Sequence, residues 1–214
     1  SVFYYITTMN ENYQQPDMPK GVEDDIIKGM YLLEDSNSKE FKVSKPTNGE
    51  HHIRLLGSGT ILREARKAAE MLRREFSVAV DVWSVTSFNE LRREALDITR
   101  GNMLNPSKKQ KVPFVTQQLS TRKGPVLATT DYMKIYSDQI REFVPDAYRV
   151  LGTDGFGRSD SREQLRHFFE VDMKFIAAAA LFELQSAGLI DSKALMVHYK
   201  KLGIDTNKAN PIYQ

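Results

Sequence analysis

The chain contains no cysteine, only four histidines, and no apolar run of membrane-spanning length. Absence of cysteine excludes a disulfide scaffold, a thiolate metal site and a cysteine nucleophile, although it leaves the compartment open. His51, His52, His167 and His198 offer little material for a metal centre. His51 and His52 adjoin, and adjacent strand residues face opposite sides of a sheet, so this pair is poorly placed to share an ion. The longest uninterrupted apolar run, Phe175 to Phe182, falls far short of the roughly 20 residues a bilayer span requires. Its four consecutive alanines read instead as a buried helix with close backbone packing. An excess of one charge is also missing: 30 Lys plus Arg face 28 Asp plus Glu, a formal net charge of +2. No global field drives such a chain onto nucleic acid or an anionic membrane. Lys108, Lys109, Lys111, Arg122 and Lys123 cluster around Pro113 to Thr121 without an aromatic stacking platform, which reads as a solvated loop. The expectation is a soluble protein.

What is present is 214 residues, 41% of them apolar, enough for one sizeable domain with its own core. Val2 to Thr7 is dense in β-branched and aromatic residues, as a buried parallel strand is, and has no nearby partner. It reads as the last strand of a domain that lies mostly outside the chain. Pro16 and Pro19 then stand among polar residues from Tyr13 to Gly21, which reads as a linker. Beyond it, apolar segments of strand length alternate with helical periods. Strands are expected at Gly29 to Glu34, His52 to Leu56, Ser77 to Ser84, Pro125 to Thr129 and Tyr148 to Gly152, with Asp35 to Glu50 a polar insertion forming a hairpin or mobile loop. Ile61, Leu62, Ala65, Ala68, Ala69, Leu72 and Phe76 mark one helical face behind Thr60 as N-cap. Ser87 with Glu90 and Ser161 with Gln164 form capping boxes. Asp131 is expected to cap a helix carrying Ile135, Ile140 and Val144, and helices follow over Met173 to Ala187 and Ser192 to Leu202. Connections too long for hairpins imply a three-layer α/β/α domain around a mostly parallel sheet of about five strands.

Two strand-to-helix turns invite chemical readings. Gly57-Ser58-Gly59 sits where a dinucleotide pyrophosphate would meet a helix N-terminus, which would make the chain a free-standing nucleotide-binding module. Leu62 stands where the third glycine belongs, and Asp81 lies inside its strand where an acidic ribose ligand should end it. A tight turn bringing helix against sheet is therefore favoured. The second is Thr153 to Arg162, a strand-end loop holding Asp154, Gly155, Phe156, Gly157, Arg158, Ser159, Asp160 and Arg162. We expect an ordered turn at the carboxyl edge of the sheet, facing an interface, whose aspartates and arginines satisfy one another or the next helix. No Asn-Asn pair follows at the spacing of a diphosphate-magnesium motif. His167, with no paired carboxylate nearby in sequence, reads as a packed or surface histidine.

The segments Met9 to Tyr13, Leu55 to Glu64, Asp81 to Phe88, Asp131 to Lys134 and Tyr148 to Arg162, with Asn210-Pro211, also carry a resemblance in order across nearly the whole chain. They resemble the C-terminal end of the homodimeric-type pyruvate dehydrogenase component, the thiamine-diphosphate-dependent decarboxylating subunit of bacterial pyruvate dehydrogenase complexes. The resemblance implies a transketolase-like C-terminal domain over residues 22–214, a linker over 13–21, and the last strand of a truncated pyrimidine-binding domain over 1–12. It further implies a cytoplasmic parent that uses thiamine diphosphate and magnesium, decarboxylates pyruvate and passes acetyl to lipoyl groups. Expected partners are the missing domains of the chain, a homodimer mate and the dihydrolipoyl acetyltransferase core, with no nucleic acid and no membrane. No catalytic, cofactor or metal ligand of the family maps onto this stretch. The chain is thus expected to be an interface domain that is inactive by itself, with Asp154 to Asp160, Arg162 and His167 as candidate interface or turn residues.

Overall fold

The computed structural model describes residues 3, 4, 6, 8, 12–43 and 51–214. In chain order the elements are α1 (Glu23–Lys28), β1 (Met30–Glu34), β2 (His52–Ser58), α2 (Leu62–Glu75), β3 (Ala79–Val85), α3 (Phe88–Leu104), α4 (Phe114–Leu119), β4 (Val126–Thr129), α5 (Lys134–Asp138), β5 (Tyr148–Leu151), α6 (Arg162–Phe168), α7 (Met173–Ser186) and α8 (Ser192–Leu202). Among the described residues the sheet has five strands in the order β1-β3-β2-β4-β5. β2, β3, β4 and β5 run parallel, and β1 pairs antiparallel with β3. Strands buried on both faces read as continuous apolar runs, which is why β2 and β3 lack the alternation of a half-exposed strand.

Successive residues of each strand feed two cores. Ile53, Leu55, Val80, Val82 and Leu127 face α2, α7 and α8. Leu56, Trp83, Val85, Val126 and Ala128 face α3 and α4. The run from Phe175 behaves as expected: Ile176, Ala177, Ala178, Ala180 and Leu181 are buried in α7, whose small side chains admit α2 closely. Ser87 and Ser161 cap α3 and α6 through the amides of Glu90 and Gln164, as their spacing predicts.

Several expectations need correcting. No single helix spans Ile135 to Val144: α5 ends at Asp138 and a separate 3₁₀ turn covers Arg141–Phe143. Pro113 to Thr121 is not a solvated loop, because α4 buries Phe114, Val115 and Leu119. Arg122 is not part of a solvent-facing basic patch either, since it bonds Asp35, the Ser36 hydroxyl and Asp81. No hairpin strand occurs over the described part of the insertion, residues 35–43; residues 44–50 lie outside the described residues. Within Val2 to Thr7, Phe3, Tyr4 and Ile6 are exposed and join no strand, and Val2, Tyr5 and Thr7 lie outside the described residues.

The amino edge of the sheet is closed by buried charge. Arg54, in the central strand and 1% exposed, donates to the carbonyls of Leu119 and Gly124 and to the Asp146 carboxylate. Beside it Asp81 accepts from the Ser36 amide at 2.9 Å and from Arg122, and meets His52 Nε2 at 3.1 Å. His52 is therefore a structural residue, its other ring nitrogen 3.0 Å from the Lys123 carbonyl. Burial alone would raise the Asp81 carboxyl, but the His52 bond and the Ser36 amide and hydroxyl together hold it below the ordinary value.

Two outcomes follow. Replacing Arg54 with methionine keeps apolar bulk but leaves Asp146 and two carbonyls without their donor, and should lower stability by about 3 kcal/mol; an unchanged urea midpoint would overturn this role. Because the folded-state pKa of Asp81 is depressed, its stabilisation is complete above the unfolded carboxylate value of about 4 and disappears as pH falls through the folded value. Asp81→Asn should accordingly flatten the loss of melting temperature on acidification below about pH 4.

Candidate functional site

β2 leads through α2 to β3 on one side, and β4 leads through α5 to β5 on the other. Such a reversal opens a crevice beyond the carboxyl ends of the adjacent strands, here β2 and β4, where α/β proteins place their sites. Side chains already bridge it. The Ser58 hydroxyl donates to Thr130 Oγ1 at 2.9 Å, and the Thr60 hydroxyl to Asp131 Oδ2 at 3.1 Å. Neither Thr60 nor Asp131 caps a helix as expected: a 3₁₀ turn over Gly59–Ile61 precedes α2, and the two side chains bond each other. A Cβ on Gly57 would lie 2.8 Å from Leu62 Cα and 3.3 Å from Ala65 Cβ. Gly57 is thus required for the close approach of α2 to the sheet, which supports the tight-turn reading of Gly57-Ser58-Gly59 over the nucleotide reading.

The segment from Thr153 forms one wall of the crevice. The Thr153 amide donates to the Tyr132 carbonyl at 2.9 Å and its hydroxyl to the Asp131 carbonyl at 2.6 Å. Asp154 accepts from the Lys134 amide at 2.9 Å. Gly155 takes the left-handed conformation, φ +98°, and Gly157 does not. Arg158 lies over the Phe168 ring at 4.6 Å instead of pairing with an aspartate of the segment, Asp160 accepts from the Ser161 amide at 2.6 Å, and Ser159 is exposed. Together with Phe156, Arg158, Arg162 and Arg166 the walls enclose about 310 Å³. Arginines and hydroxyls meet apolar Ile61, Leu165 and Phe169 there.

His167 stands apart from this crevice lining. Its Nδ1 lies 3.0 Å from Asp172 Oδ2 and its ring 5.4 Å from that of Phe175, so the expectation of no carboxylate partner is corrected. Asp172 also caps α7 through the amides of Lys174 and Phe175. Glu64, for which the sequence predicts no role, is buried where α6 meets α7 and accepts from the Met173 amide at 3.1 Å, Lys67 at 3.0 Å and Arg166 at 3.4 Å. A glutamate on the otherwise apolar face of α2 was the available signal.

A family model described as the transketolase-like TK C-terminal domain matches residues 29–172. Pyruvate dehydrogenase E1 component of Pseudomonas aeruginosa is 54% identical over 212 residues, covering 99% of this chain and 23% of that protein. The protein of the same name from Escherichia coli K12 is 50% identical over 212 residues, covering 99% of the chain and 22% of its own length. The chain therefore spans less than a quarter of these curated relatives. Among solved structures, transketolase from Leishmania mexicana aligns at 15% identity and a TM-score of 0.47, over 78% of the chain and 20% of that protein.

The junction and the loop should respond differently to truncation. Glu64→Ala removes the acceptor of the Met173 amide from a buried site and should cost about 2 kcal/mol. Arg158→Ala removes an exposed stacking contact and should cost less than about 1 kcal/mol. Equal shifts of the thermal midpoint in the two variants would reject this assignment.

Proposed function

Because the chain belongs to the transketolase-like C-terminal domain family, we propose that it is the C-terminal domain of a pyruvate dehydrogenase E1 component, serving that subunit as an interface domain. The observation that carries this reading is identity of 50% and above over 99% of the chain to two proteins of that name. On this proposal the parent oxidatively decarboxylates pyruvate on thiamine diphosphate and passes the acetyl group to lipoyl arms of the dihydrolipoyl acetyltransferase core. On the same proposal residues 1–12 belong to the end of the preceding pyrimidine-binding domain and residues 13–21 to the linker. The parent is a cytoplasmic homodimer. No helix among the described residues is long and apolar enough to cross a membrane.

The residues present do not fit the cofactor. What supports this is the sequence after Asp154-Gly155, where no Asn-Asn pair follows at the spacing of a diphosphate-magnesium motif. On this proposal thiamine diphosphate and magnesium are held by the parent's other domains. The nucleotide-module alternative is disfavoured by the contact of Gly57 with Leu62.

Calorimetric titration of this chain with thiamine diphosphate and magnesium should give no saturable heat. Stoichiometric binding at micromolar concentration would overturn the interface assignment.

A further inference from the structure

The segment after α8, residues 205–214, contributes no residue to either core, yet it is tied down. Lys208 Nζ donates to the Phe168 carbonyl and to Glu170 Oε1, both at 2.9 Å. The same ammonium lies 5.3 Å from the centre of the Phe175 ring and 5.7 Å from that of Phe168, within reach of cation–π attraction. These contacts leave its side chain 18% exposed, although a lysine outside the cores is ordinarily solvated. Beyond Lys208 the segment turns. Asn210 accepts from the Ile212 amide at 3.0 Å and Pro211 opens a 3₁₀ turn, for which its ring fixes the backbone angle. The Asn210-Pro211 pair thereby sets the segment against the crevice loop: a Cβ on Gly155 would stand 3.8 Å from Ile212 Cα and 3.9 Å from the Pro211 carbonyl oxygen.

The acceptor for Lys208 carries a backbone cost. At the end of α6 the Val171 amide reaches the Arg166 carbonyl at 2.9 Å and the Glu170 amide the His167 carbonyl at 3.2 Å. This motif puts the residue after the helix in the left-handed conformation, where glycine is usual. α7 and α8 end in the same way on Gly188, φ +74°, and Gly203, φ +69°. α6 has Glu170 instead, at φ +62°. A left-handed glutamate is strained, and what it supplies that glycine lacks is the carboxylate bonded to Lys208. Phe168 joins this pair to the crevice. Arg158 of the loop lies 4.6 Å from its ring, and Lys208 approaches both its ring and its carbonyl, so loop and segment are seated on one residue.

We propose that residues 205–214 act as a strap that holds the Thr153–Arg162 loop in place beside Phe168, with the Lys208–Glu170 pair as its clasp. With the clasp closed, Pro211 and Ile212 back the loop at Gly155 and the crevice keeps its wall. With the clasp open, strap and loop are released together, while the start of α7 stays capped by Glu64 and Asp172. The device is internal to these residues and does not rest on the parent assignment.

Hydrogen exchange read by mass spectrometry tests it on the 214-residue chain, whose two cores are built from its own residues. Lys208→Met keeps the aliphatic stem and removes the charge. Glu170→Gly opens the same clasp from the other side and relieves the left-handed strain, so α6 keeps its end. Each variant should speed exchange at least about tenfold over residues 205–214 and about threefold over residues 153–162, with α2 unchanged. The double variant should go no further than either single one, because both remove the same interaction. Unchanged rates, a faster strap with an unchanged loop, acceleration shared equally by α2, or additive effects in the double variant would each overturn the proposal.

Discussion

The buried guanidinium of Arg54 is the constraint around which the sheet is assembled. A charge in the middle of a central strand is tolerated only when it is paired and hydrogen-bonded, since an unpaired ion in a low-dielectric interior is prohibitively costly. Its partners come from three places: the end of α4, the start of β4 and the approach to β5. Three connections far apart in sequence must converge on one side chain before β4 and β5 can take their places beside β2. Asp81, on the neighbouring strand, adds favourable charge to Arg54 and extends the same logic to β1 and the start of the insertion through Ser36 and Arg122. The amino edge of the sheet is therefore a closed ionic seam.

The carboxyl edge is built on the opposite principle. Short neutral and charge-assisted bonds, Ser58 to Thr130 and Thr60 to Asp131, hold the strand ends in register without covering them. Above them the turn from Thr153 is fixed by backbone contacts, and Phe156 and Arg158 project from it. The fold thus seals one edge with buried ion pairs and leaves aromatic side chains exposed at the other.

The junction of α6 and α7 links the two halves of this arrangement. Glu64 and Asp172 each cap backbone amides at the start of α7, and Arg166 bridges from the crevice wall to Glu64. The position of the loop above the crevice is thus set by carboxylates on and beside the α2–α7 contact.

Most of the architecture was legible from periodicity and capping chemistry. The apolar face of α2, the capping boxes at Ser87 and Ser161 and the continuous apolar runs of β2 and β3 are local signals, and each is where its pattern places it. The misreadings share a physical cause. Arg122 looked like a loop residue because its partners Asp35, Ser36 and Asp81 lie across strands, and the carboxylate that pairs with the exposed His167, Asp172, lies beyond the helix end. The helix expected behind Asp131 begins only at Lys134, that carboxylate being bonded to Thr60 of another element, and α4 was hidden in a basic stretch because its burial depends on the facing surface of α3. Sequence by itself determined the class of fold, the order of its layers and the family, since these rest on short-range patterns repeated along the chain. Only the tertiary structure decided which polar residues are buried partners and which edge stays open, because a hydrogen bond or ion pair acts through space and leaves no period in the sequence.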